Sequence, residues 1–100
     1  MKYEVIDNRE SKRERVLLGC EIAFGGGRHR AHLLNISESG AKVDADDVPA
    51  VGDSITLHRD DHALAGRVNW VQDHRFGIQF DARLDAAVVA HYAAMLFRRN

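Results

Sequence analysis

The chain has 100 residues, of which 45% are hydrophobic and 29% charged, with a formal net charge of −1. That length suits one domain with a single modest core, and that composition excludes a chain disordered throughout. The near-neutral balance also disfavours a general binder of nucleic-acid polymers. Residues 1–15 are polar and lack a sustained period, so they read as a mobile arm. Arg9, Lys12, Arg13 and Arg15 crowd that arm against Glu10 and Glu14. From Val16 the pattern changes. Val16, Leu18, Cys20, Ile22 and Phe24 alternate with their neighbours, which predicts a strand with one buried face. Cys20 is the single cysteine, so no internal disulfide forms and a buried, inert thiol in a reducing compartment is expected.

Gly25-Gly26-Gly27 supplies a hairpin turn. The next strand is predicted from about Arg30 to Ile36, with His32, Leu34 and Ile36 on one side and Asn35 and Ser37 facing the other way. Gly40 should start a turn, and residues 44–52, with the one proline, Pro49, read as a loop. Further strands are predicted over Ser54–Arg59, Ala63–Val71 and Phe76–Phe80, turning at Asp60-Asp61 and Asp73-His74. Leu64, Gly66, Val68 and Trp70 are placed on one inward face. After Asp81 the apolar spacing becomes helical, through Leu84, Val88, Tyr92 and Leu96. Asp81 is the expected N-cap, and Arg98 and Arg99 the complement of the C-terminal dipole. An arm, short antiparallel strands and one helix predict a small barrel with the helix over one mouth or face. The expected division is an arm over 1–15 and a barrel with its helix over 16–100.

Two pieces carry chemistry. The arm contains Arg-x-x-x-Arg, from Arg9 to Arg13, and the second strand ends in Asn35-x-Ser37-x-x-Gly40. Guanidinium groups grip phosphates and the O6/N7 edge of guanine with paired donors, and they stack on bases. An amide, a hydroxyl and a glycine turn can form the opposite wall. Each piece alone is ordinary: arginine-rich arms are usually solvated, and Asn, Ser and Gly are common turn residues. Together they point to a small anion bearing planar bases. The six histidines show no converging zinc set, and Asp44, Asp46, Asp47 and Asp53 lack the spacing of a calcium loop. No metal site, cofactor or catalytic set is expected, and hence no enzyme. Nor does any stretch approach the ~20 apolar residues of a membrane span, and Met1–Asp7 lacks a signal-peptide apolar region. A cytoplasmic protein without membrane insertion is the expectation.

From about Arg9 to Phe80 the chain resembles the PilZ domain, through the arm, Asn-Ile-Ser-x-x-Gly-Ala, Val51-Gly52-Asp53, Gly66-x-Val68-x-Trp70-Val71 and Phe76-Gly77-Ile78-x-Phe80. The resemblance implies a six-stranded antiparallel barrel that binds cyclic di-GMP on its outer surface, often as a stacked pair. It implies that Arg9 and Arg13 grip the ligand, that Asn35 and Ser37 make polar contacts to it, and that Gly40 permits the tight backbone beneath. Arg15 stands immediately before Val16, where many PilZ domains carry the second arginine, and the residue four before it is Ser11. Either Arg9 and Arg13 bind, or Arg15 takes the second role and the first is lost. The reading is a stand-alone cyclic di-GMP receptor that orders its arm on binding and signals to a partner protein. The alternative is a ligand-independent interaction module on the same barrel. A binder of RNA or single-stranded DNA is a third and lesser reading, opposed by the net charge and the expected inward aromatics.

Overall fold

The structure is a computed structural model that describes residues 13–15 and 18–99. Six strands close into an antiparallel barrel: β2 (Leu18–Phe24), β3 (Gly27–Ile36), β4 (Gly40–Ala45), β5 (Ser54–Arg59), β6 (His62–Gln72) and β7 (Arg75–Phe80). Their order around the wall is β2-β3-β4-β7-β6-β5. A helix, α1 (Ala86–Leu96), follows. A separate two-stranded ribbon pairs β1 (Arg13–Arg15) with β8 (Phe97–Arg99).

The turns follow from local chemistry. Gly25 and Gly26 have φ of 59° and 82°, the left-handed pair that a two-residue hairpin needs. Asp60 and Asp73 take φ of 53° and 56° at the β5–β6 and β6–β7 turns, a region aspartate tolerates better than most residues. Alternation then sends Ile22, Leu33, Val43, Leu57, Val68 and Phe76 into the core. Tyr92 and Leu96 of α1 are buried in the same cluster. The Tyr92 hydroxyl donates to the Arg59 carbonyl (3.3 Å) and shares a 2.5 Å hydrogen bond with His62 Nδ1. The helix also packs against β3, so it covers the mouth where β5 turns into β6.

Several expectations are corrected. β3 begins at Gly27, three residues before Arg30. Its register shifts between Leu33 and Asn35, a bulge that changes which parity faces inward. Ala31 and Leu33 are buried before it and Leu34 and Ile36 after it, so His32 is exposed and does not share their face. Gly40 opens β4; the turn lies just before it. A second bulge, between Val68 and Trp70, turns Trp70 out of the core, 37% exposed. Asp85, not Asp81, precedes the helix: its carbonyl accepts from Val88 N–H (3.0 Å) and Val89 N–H (3.2 Å). The helix ends at Leu96, and Arg98 and Arg99 lie in β8 instead of its last turn. The last three arm residues, 13–15, form a strand.

Candidate ligand site

The motif turn is a closed knot. Ser37 N–H donates to the Gly40 carbonyl (2.8 Å), and Gly40 N–H donates back to Ser37 Oγ (3.2 Å). Ser39 N–H also donates to Ser37 Oγ (3.3 Å). The segment after β7 clamps the turn from outside. Phe80 N–H donates to the Ser39 carbonyl (2.8 Å) and Leu84 N–H to the Glu38 carbonyl (2.9 Å). Arg83 pairs with the Glu38 carboxylate at 2.5 Å. Gly40 is required by β7: a Cβ there would collide with the Ile78 carbonyl oxygen. Its place is therefore set by backbone packing as well as by the turn.

Asn35 and Ser37 are both exposed and separated by one buried residue, as the alternation predicts. Asn35 Oδ1 accepts from Ile36 N–H (2.8 Å), which fixes the side chain and leaves its amide N–H groups without a partner among the described residues. A row of neighbours crosses the outer wall from there. Asn35 is paired with Lys42, Lys42 with Gly77, and Gly77 with Trp70. The Trp70 indole lies over Gly77, where a Cβ would strike it. An aromatic side chain covering a cross-strand glycine shields the bare backbone. Lys42 lines both a small hollow with Asn35, Ser37 and Gly40 and a larger one of about 370 Å³ with Trp70 and Arg75. Its ammonium has no hydrogen-bond or ion-pair partner among the described residues, and Arg75 pairs with Asp44 (3.4 Å). An amide donor, a cation and an aromatic face thus stand side by side.

A family model described as PilZ domain matches residues 7–98. The chain belongs to the PilZ family. PilZ domains are cyclic di-GMP receptors, not enzymes, and the closed six-stranded barrel agrees with their fold. A search of curated proteins finds no match for the chain.

In this PilZ domain Arg9 lies outside the described residues. Arg13 and Arg15 sit on β1, whose backbone register sets Arg13 opposite Arg99, Glu14 opposite Arg98 and Arg15 opposite Phe97. β1 leads into β2 at the mouth that α1 covers and where the 37–40 turn also lies. Topology therefore brings the arm's end and the motif turn to one end of the barrel. Lys42 and Trp70 were not among the sequence candidates. The signal that could have found them is Gly77 in a strand otherwise rich in large residues, which marks a place where a neighbouring aromatic lies over the sheet.

Burial pushes the Cys20 thiol up to about 12, against a lowering by Arg59, so the group is a protonated core residue. Tyr92 is likewise raised, by burial first and then by Asp60. Among the described residues no three His, Cys, Asp or Glu side chains are grouped to hold a metal ion, and no helix is long and apolar enough to cross a membrane.

Proposed function

We propose that this PilZ domain binds cyclic di-GMP on the outer wall running from the Ser37–Gly40 turn to Trp70, and that binding changes the surface it offers to a partner protein. The observation that carries this reading is the row Asn35–Lys42–Trp70 beside the motif turn, with amide N–H groups and an ammonium that have no partner among the described residues and a part-exposed indole. Guanine is flat and edge-polar, and its phosphodiesters are anionic, so each group in the row has a counterpart. Asn35 donates to a base or phosphate, Lys42 neutralises a phosphate, and Trp70 stacks on a base. Ser37, already accepting from Gly40 and Ser39, keeps the turn in shape and presents its hydroxyl at the rim. Gly40 keeps the backbone close to β7.

The arm supplies the other jaw. Arg9 and Arg13 grip phosphates and guanine edges, with Arg15 the alternative second arginine nearest the barrel. Neutralisation of these guanidinium groups by the ligand orders the arm across the site. Because β1 is laddered to β8, which continues directly from α1, the ordered arm acts on the end of the helix. The changed surface there is what a partner reads. A cytoplasmic setting follows from this ligand.

Isothermal titration of the protein with cyclic di-GMP, with GTP as control, tests the reading. Saturable heat specific to the cyclic dinucleotide, weakened in Arg13→Ala and in Lys42→Ala, is expected. A second reading, the ligand-independent interaction module, is favoured by one observation: residues 13–15 already pair with β8. A flat trace from folded protein would select it.

A further inference from the structure

The opposite wall of the barrel carries a second charged hollow. Its floor is Gly19, exposed on β2, where the missing side chain leaves open space. It measures about 550 Å³ and is lined by Arg28 and Arg30 of β3, Arg59 of β5, and His32 and His58. Two carboxylates are present, Glu21 and Asp60. Glu21 is taken by Arg28 at 2.8 Å. Arg30 is paired with Glu21 in register, yet its side chain has no hydrogen-bond or ion-pair partner among the described residues and is exposed.

Arg59 is held in a fixed pose. One terminal nitrogen donates to the Gly19 carbonyl (2.6 Å), while Nε, shielded from solvent, makes no hydrogen bond and lies 3.8 Å from Asp60. The guanidinium is thus held between the Gly19 carbonyl and the Asp60 carboxylate. The hollow therefore presents a rigid cation, Arg59, at its edge and, on its wall, Arg30, a cation without a partner among the described residues.

We infer that this face, around Gly19 and between Arg30 and Arg59, docks an acidic segment of a partner protein through its carboxylates. The spacing favours an extended acidic chain over a single phosphate. Arg28, Arg30 and His32 succeed one another on the outer side of β3 at about 7 Å, the step between alternate residues of a strand. An extended segment with acidic residues at every second position matches that step, whereas one phosphate reaches one cation. The inference rests on the receptor reading for the need of a partner, but it uses a different set of residues.

The test is nuclear magnetic resonance titration of the isotope-labelled protein with a hexaglutamate peptide, and separately with inorganic phosphate and with cyclic di-GMP. Expected are saturable amide shifts at Gly19, Glu21, Arg30 and His32 with the peptide, and binding about tenfold weaker in Arg30→Glu. The Arg30 side chain is exposed and has no partner among the described residues, so that variant should fold, and its response to cyclic di-GMP should match the parent protein. Absence of saturable shifts, undiminished affinity for the peptide in Arg30→Glu, or equal shifts with phosphate would each overturn the inference. The cyclic di-GMP arm reads Lys42 and Trp70 independently, so failure of the docking face and failure of the ligand site are told apart.

Discussion

The two jaws of the candidate site are held in different ways. The Ser37–Gly40 turn is bonded within itself through Ser37 Oγ, and from outside by Phe80, Arg83 and Leu84. The end of the arm is held by a ladder of three residue pairs to β8. The first is a wall formed before any ligand arrives. The second is a short tether. Fixing a residue's backbone costs roughly 1–2 kcal/mol, so a preformed wall adds little to the cost of binding. On the proposed reading, the comparison assigns the wall the placing of the ligand and the arm the strength with which it is held.

The strongest test strikes the wall. Gly40→Ala should cost about 3 kcal/mol in urea denaturation, because the new methyl group meets the Ile78 carbonyl oxygen of the adjoining strand. A loss far smaller would mean that the wall can shift, and the contrast between the jaws would fail. Next comes the tether. Arg13→Ala should weaken cyclic di-GMP binding about 30-fold, roughly 2 kcal/mol, with no change in melting temperature. Equal losses of affinity and stability would show that β1 supports the barrel as well as the ligand.

A third test asks whether the barrel behind the wall stays shut. Burial raises the Cys20 thiol from 9.0 to about 12. The folded protein therefore keeps a proton that the unfolded chain releases above pH 9, and this share of stability is lost as pH rises from 9 to 12. By about pH 10 the loss should be about 1.4 kcal/mol, and Cys20→Ala should remove it. Absence of that difference would place the thiol in contact with water, so that β2 opens along with the tether. The smallest effect belongs to Ser37→Ala. It should cost about 1 kcal/mol through loss of the acceptor for Gly40 N–H. A neutral outcome would show that the bonds from Phe80 and Leu84 hold the turn unaided.

Strand identity was legible wherever alternation ran unbroken. Ser54–Arg59 has the bounds predicted, and the Asp60-Asp61 and Asp73-His74 turns stand where expected. The exposed pair Asn35 and Ser37 was legible for the same reason. The bulges were not. One extra residue near Leu34 reverses the facing of everything before it, which is why His32 was grouped with Leu34 and Ile36. The same effect near Asn69 hid Trp70 among expected core residues. A bulge is fixed by pairing with a distant strand, and no local pattern announces it. The β1–β8 ribbon was illegible for a related reason, since its partners are the two ends of the chain. The apolar run through Leu96 continues into Phe97, so nothing local marks the change from helix to strand there.

The closed barrel has one more consequence, for assembly. Each of its strands is bordered on both sides, with β2 joined to β5 through Glu21–His58, Ile22–Leu57 and Ala23–Thr56. Such a wall has no open edge on which another chain could add a strand, and so it resists edge-to-edge aggregation. The ribbon is different: among the described residues β1 and β8 each have one strand neighbour. Among the described strands, these are where another polypeptide can join by main-chain pairing.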